Sequence, residues 1–459
     1  MRRTPLSIAV STALLGAALS MPAHAQTPTE LELARKLDRL AAELAEVKAQ
    51  LATLRAQGGN AGTAAAASEA GTATRAAPAP ATADAAPAAG RPTRAERPTR
   101  AELATRAELV EPATVLTSYG EINYTRPTKA PQDAQVDLRR FVLGFQHRMD
   151  SKTRLVAELE VEHAVSSADD PGEVALEQAF VERELGARLA ARAGLFLIPA
   201  GMLNENHEPT AYYGVHRNFV ETAIIPSTWR EVGVQLIGNL DNGLTIQGGL
   251  STGFDVGKWD ATSTEGAESP LGAIHQEGAQ ARARNLAVFG AINWRGVPGL
   301  LVGGSAFSGA ASHSQPLLPS ARVSLWDLHA RWSPGRWDLS SVYARGSISN
   351  TAALNATLVG NPTLIPERFD GWYLQGAYRL WSQGDYVLSP FVRLERFNTA
   401  RDYADLGAGL TPQAAGTERV TTVGVNFLVG QGVVLKADVQ RFGLVSANNR
   451  VNLGLGWSF

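Results

Sequence analysis

From residue 113 to residue 459 the chain repeats one pattern. About ten residues alternate between apolar and polar, then Gly, Pro, Asn or Asp breaks the run. A period of two sends successive side chains to opposite faces of an extended strand, which a helix with 3.6 residues per turn cannot do. Near the C-terminus Val451, Leu453, Leu455, Trp457 and Phe459 share one face, and Asn452, Gly454, Gly456 and Ser458 share the other. In an earlier run Leu155, Ala157, Leu159 and Val161 oppose Arg154, Glu158, Glu160 and Glu162. Such runs fall near 114–124, 136–148, 153–163, 174–184, 187–197, 230–239, 243–251, 285–294, 300–308, 321–332, 336–346, 370–381, 386–397, 418–429, 432–442 and 449–459. The count is sixteen, and it is even, as a single-chain up-and-down barrel requires. Short breaks (Asp150-Ser151, Asn239 to Gly243, Pro334-Gly335, Gly430-Gln431-Gly432) broadly alternate with long ones at 199–229, 252–284, 309–320, 347–369 and 398–417.

Alternation alone also suits a soluble sandwich, so other features must decide the environment. Met1-Arg2-Arg3, the mostly apolar run Leu6 to Leu19 and the small-x-small triplet Ala23-His24-Ala25 read as a signal peptide over 1–25. No later stretch of eighteen apolar residues occurs, so a membrane could be crossed only by strands. Aromatics recur at strand ends (Trp294, Trp332, Trp337, Trp372, Trp381, Trp457), where a membrane barrel carries its interfacial girdles. The predicted fold is therefore all-β: a 16-stranded antiparallel transmembrane β-barrel over 113–459, in the outer membrane of a Gram-negative bacterium. Gly 44, charged residues at 19% and no cysteine agree with a β-rich chain outside the cytoplasm. A formal net charge of −2 excludes nucleic-acid binding driven by bulk positive charge.

Two further segments precede the barrel. In 26–57, Leu33, Leu40, Val47 and Leu54 occupy one heptad position and Leu37, Leu44 and Leu51 another, which predicts a short coiled-coil helix and hence an oligomer. Residues 58–112 are a low-complexity Ala/Pro/Arg linker. The linker holds the repeat Arg91-Pro92-Thr93-Arg94-Ala95-Glu96, repeated over 97–102 and degenerate over 103–108. The whole N-terminal part is expected to be periplasmic.

The text Gly194 to Gly201 (Gly-Leu-Phe-Leu-Ile-Pro-Ala-Gly), Asn204 to Pro209 (Asn-Glu-Asn-His-Glu-Pro), Tyr213-Gly214 and Asn218 to Thr222 (Asn-Phe-Val-Glu-Thr) resembles the phosphate-selective porin O and P family. The resemblance covers most of 113–459. The coiled coil and linker look like the branch of that family with an N-terminal coiled coil. The resemblance implies a homotrimer whose third long loop, here 199–229, folds into the lumen. It also implies insertion into outer-membrane lipid and lipopolysaccharide by the barrel assembly machinery, which would select the chain through Phe459.

A diffusion pore works through a constriction and its field. The candidate constriction and anion-binding residues are Arg188, Arg192, Arg217, Arg230, His207, His216, Arg140, Arg148 and Lys436, with Glu205, Glu208 and Glu221 as acids of the constriction loop. Arginine suits planar carboxylates and phosphate because its fork binds two oxygens. Arg188 and Arg192 lead this set, since they share a face with no carboxylate between them. The family's phosphate-selective members use lysine-rich sites, whereas this barrel has only Lys129, Lys152, Lys258 and Lys436. The expected function is passive diffusion of small hydrophilic solutes, with preference for anions such as phosphate or small carboxylates. No cofactor, metal or catalytic residue is expected. Two alternatives are an envelope tether whose barrel is mainly an anchor, and a barrel enzyme acting on lipid or polymer.

Overall fold

The computed structural model describes residues 113–167 and 170–459. The signal peptide, coiled coil and linker expected over 1–112 lie outside the described residues. The strands are β1 (Thr114–Pro127), β2 (Gln135–Arg148), β3 (Thr153–Glu162), β4 (Val174–Gly186), β5 (Leu189–Leu197), β6 (Arg230–Asn239), β7 (Leu244–Ser251), β8 (Ala287–Trp294) and β9 (Leu300–Ala310). They continue as β10 (Arg322–Trp332), β11 (Trp337–Ile348), β12 (Arg368–Tyr378), β13 (Trp381–Gln383), β14 (Tyr386–Asp402), β15 (Glu418–Val429), β16 (Val433–Phe442) and β17 (Arg450–Ser458). β12 and β13 both pair with β14, so β13 is the short tail of one stave. The result is a closed antiparallel barrel of 16 staves. β1 pairs with β2 on one side and with β17 on the other, from Tyr119↔Ser458 to Pro127↔Arg450. That last ladder leaves no sheet edge.

Burial is inverted relative to a soluble protein. Large apolar side chains point out and stay uncovered, among them Leu143, Leu159, Leu236, Val288, Leu328, Leu374, Val423 and Leu453. Buried positions on the same strands carry Glu121, Arg140, Glu160, Glu177, Asp327, Gln375, Arg393, Lys436, Asp438 and Asn452. An apolar exterior and a polar lumen are what a bilayer solvent selects. Trp294, Trp332, Trp337 and Trp381 lie exposed at the short-turn ends of their strands, and Trp326, Tyr343 and Trp372 face out nearer the long loops.

The long connections all leave one end of the barrel. The third, 198–229, and the fourth, 252–286, turn inward. They build an apolar core inside the barrel mouth against β5 and β8 to β12. Ile198, Val220, Ile224, Ile225 and Trp229 meet Phe254, Val256, Trp259, Leu271 and Ile274 there, with Leu354 and Ile365 from 349–367. Trp229 stacks on Phe254 at 5.0 Å and meets Phe307 edge-on at 4.7 Å. Trp259 Nε1 donates to the Thr363 carbonyl at 3.2 Å and ties the fourth connection to 349–367. Each fully buried large side chain of this kind contributes roughly 1.5–3 kcal/mol. One part of the lumen is thus filled, and open space remains beside β1 to β3, β11 to β12 and β14 to β17.

The inverted exterior sets up a direct contrast. Leu328→Arg, facing out in mid-strand, is expected to destabilise the barrel in lipid by about 2–4 kcal/mol. Leu317→Arg, on the loop 311–321 and fully exposed, is expected to change it by less than about 0.5 kcal/mol. Equilibrium unfolding in liposomes checks both, and equal effects would contradict the outward assignment of Leu328.

Candidate functional site

The inward loop 198–229 is tied to itself by hydrogen bonds between its two arms. At its neck, Asn204 Nδ2 donates to the carbonyls of Ile198 (2.7 Å) and Trp229 (2.8 Å), and its Oδ1 accepts from Trp229 N at 2.7 Å. Glu221 ties the two arms by accepting from Met202 N (2.5 Å), Leu203 N (2.7 Å) and Asn218 Nδ2 (2.7 Å). Burial pushes the Glu221 carboxyl above its ordinary range, against the bonds donated by Asn218, Leu203 and Met202. At the tip Gly214 has φ +86°, and a side chain there would also press on Phe391.

The barrel wall then grips this loop through its backbone. Asn426 Oδ1 accepts from Gly214 N at 3.1 Å, Asp438 Oδ2 from Val215 N at 2.6 Å, and Glu395 Oε1 from Phe219 N at 2.7 Å. Arg393 pairs with Glu395 at 3.1 Å and donates to the carbonyls of Tyr213 (3.1 Å) and His216 (3.3 Å). Side chains of the polar wall stand in for the partner strand that a buried loop backbone lacks.

A second anchor sits on β1, β2 and β4. His207 Nδ1 donates to the Asn204 carbonyl at 2.8 Å, which fixes the ring and directs Nε2 to Tyr119 Oη (2.6 Å) and Glu177 Oε1 (3.5 Å). Tyr119 also donates to Glu177, and Arg140 Nη2 donates to the His207 carbonyl at 2.8 Å. Burial opposes charge on His207, but the Glu177 carboxylate outweighs it and raises the imidazole above its ordinary value. His216 behaves oppositely. Its Nε2 meets Thr125 Oγ1 at 3.1 Å, and burial, reinforced by Arg450, pushes it down to about 3.

Open space lies on both sides of this loop. On the loop side, a cavity of about 440 Å³ is lined by Gln135, Asp137, Arg139, Arg140, Glu162, His163, Arg217 and Arg450, among others. On the turn side, a cavity of about 520 Å³ is lined by Tyr212, Tyr213, Tyr373, Arg295, Arg331 and Arg393 with no carboxylate in its wall. A neighbouring cavity of about 320 Å³ adds Arg336, Arg379 and Asp338. Together these walls carry nine arginines against four carboxylates.

The sequence-predicted residues divide by position. Arg140, His216 and Lys436 gather around Glu121, with Arg140 pairing with it at 3.0 Å and also bonding the His207 carbonyl, whereas Glu221 stays at the neck of the loop. Arg217 lines the loop-side cavity and donates to Ser227 and, at 3.0 Å, to Thr228. Glu205 lies 3.9 Å from Arg192. Arg230 is buried against Glu277 at 2.9 Å, behind the apolar core. Glu208 is half-buried in the loop, and Arg148 lies exposed at the turn end of β2. Arg188 stands apart, paired with Asp241 at a turn. The leading pair also differs from expectation in its surroundings. Glu182, from the adjacent β4, takes Arg192 Nε at 2.6 Å, and Arg192 lies over Phe180.

The sequence reading missed Glu177 and Arg139, both placed by β-bulges. Pairing jumps from Glu121↔Arg140 to Ile122↔Leu138, leaving Arg139 as the extra residue, and from Glu158↔Gln178 to Leu159↔Leu176, leaving Glu177. A bulge reverses the alternation beyond it, so both Arg139 and Arg140 line the loop-side cavity and Glu177 points inward. Arg295, Arg336 and Arg379 were missed because they stand in or beside short turns, where no alternation assigns a face.

Two measurements follow from this geometry. The raised His207 value contributes stability that is full below the unfolded value of about 6.5 and is lost as pH rises through the folded value. The thermal midpoint of His207→Gln should therefore fall furthest below wild type at acid pH, with the gap closing toward alkaline pH. Taking the difference cancels the opposite dependence of His216. Arg393→Ala leaves Glu395 buried and unpaired, and a loss of about 3–5 kcal/mol is expected in guanidinium unfolding. A loss below 1 kcal/mol would mean the pair does not hold the loop.

No protein-family model matches the chain. A protein of Aquifex aeolicus (strain VF5), described as uncharacterized, is 28% identical over 342 residues, or 72% of this chain and 76% of that protein. Among solved structures, Salmonella typhi OmpF in complex with daunomycin aligns with TM-score 0.54 at 13% identity, covering 75% of this chain and 97% of that chain. The outer membrane channel DcaP of Acinetobacter baumannii aligns with TM-score 0.49 at 12% identity, covering 75% and 97%. An anion-selective porin from Comamonas acidovorans aligns with TM-score 0.46 at 12% identity, covering 75% and 100%. The likeness to OmpF shows the fold, which is that of a porin barrel.

Proposed function

We propose that this chain is an outer-membrane porin that passes small hydrophilic solutes by diffusion, with a preference for anions such as phosphate or small carboxylates. The observation that carries the anion preference is the excess of arginine over carboxylate in the cavity walls. In a narrow, low-dielectric channel such an excess raises the local concentration of anions. The fold supports the pore itself: a closed barrel, a polar lumen and an inward loop between two open vestibules. The resemblance to the phosphate-selective porin O and P family supports the same reading. Of the four lysines in 113–459, Lys436 alone is buried in the lumen wall, while Lys129 bonds Ser446 and Lys258 bonds the His275 carbonyl outside it. With arginine rather than lysine in the walls, planar carboxylates are the better-matched anions. The reading carries with it a homotrimer in outer-membrane lipid and lipopolysaccharide, a periplasmic N-terminal segment and assembly through Phe459.

The reversal potential of purified protein in a planar bilayer under a KCl gradient tests this. Anion selectivity is expected. Arg295→Ser with Arg336→Ser should move the potential toward the cation side while the barrel stays folded, since both side chains are exposed in turns. Cation selectivity of the wild type would overturn the anion preference, and absence of conductance would overturn the pore.

A further inference from the structure

The two vestibules meet at one side chain. Of the lining residues, Tyr212 alone is shared by the loop-side cavity and the turn-side cavities. It is 6% exposed and fixed on three sides. Its hydroxyl donates to Glu121 Oε2 at 2.8 Å, and its carbonyl accepts from Asn426 Nδ2 at 3.0 Å. Lys436 Nζ lies 3.6 Å from the ring centroid and has no hydrogen-bond partner among the described residues. The ammonium therefore faces the tyrosine ring in a buried cation–π contact.

We propose that Tyr212 is the septum of this pore: its ring separates the vestibules, sets the size of solute that passes, and screens the Lys436 ammonium from the path. The inference rests on the porin reading and names the residue that gives that pore its cutoff. A flat, uncharged ring tethered to Glu121 narrows the passage without adding charge. The arginine walls on both sides gather anions, and Tyr212 then selects among them by size. Removing the ring does two separable things. It joins the cavities, and it bares a cation on the solute path. Mere loosening of the loop would do the first without the second.

Single-channel conductance, reversal potential and exclusion of graded polyethylene glycols are to be measured on the full chain in planar bilayers. For Tyr212→Ala, conductance should rise about twofold or more, the polymer cutoff should move to larger sizes, and anion preference should increase. Tyr212→Phe keeps the ring and frees Glu121, so its rise should be smaller than that of the alanine variant. Adding Lys436→Met to Tyr212→Ala should keep the wider passage and cancel the gain in anion preference. Tyr212→Leu serves in place of alanine if that variant does not fold, with the same direction expected. If wild type and Tyr212→Ala both conduct with the same conductance and cutoff, the septum is elsewhere and the inference falls. A wider passage whose anion preference does not change removes Lys436 from the path and overturns the screening role. If neither protein conducts, the porin reading itself fails, and the inference with it.

Discussion

Everything in this molecule depends on the ladder between β1 and β17. In hydrocarbon an unpaired backbone N–H or C=O has no water to turn to, so a sheet can span a bilayer only if its last strand finds its first. Closure in turn makes the two faces of every strand unequal. The outer face meets lipid and is apolar, while the inner face meets water and the chain's own loops and is polar. The inverted burial follows from that one geometric condition.

A closed barrel of this size would be a wide tube. The protein divides its interior by two different kinds of chemistry. Against β5 and β8 to β12, the loops pack apolar side chains into a small hydrophobic core. Against β14 to β16 and β2, the loop 198–229 is held by polar side chains bonded to its backbone atoms. The first arrangement excludes water and fills space. The second satisfies a buried loop backbone while leaving room between contacts. Open space remains both along that polar wall and, on the turn side, beside β9 to β12.

Most of the barrel was legible in the sequence, because the staves obey a period of two and the turns carry their own residue signals. All sixteen runs correspond to observed staves, with most bounds within three residues and the end of 386–397 extended to Asp402. The site was legible only where alternation held. Arg140, Lys436 and Arg393 face inward as their parity requires, while Glu177 and Arg139 owe their positions to bulges that no single-strand pattern reveals. The packing of the fourth connection into the lumen was hidden for a related reason. Phe254, Trp259, Leu271 and Ile274 follow no period, and their partners lie far away in the chain. The leading arginine pair was ranked without its neighbours: the carboxylate beside Arg192 comes from the adjacent strand, and Arg188 falls in a turn.

The span of the contacts made by the loop 198–229 has a temporal consequence. Its hydrogen bonds reach Tyr119 and Thr125 on β1, Asp327 on β10, Glu395 on β14, Asn426 on β15, Asp438 on β16 and Ser458 on β17. These partners come together only once the first and last strands have joined, so the loop cannot settle while the chain is still being threaded into the sheet. The loop's full set of bonds therefore exists only in the closed barrel, so a break in the wall at either end of the chain would also cost the loop its anchors.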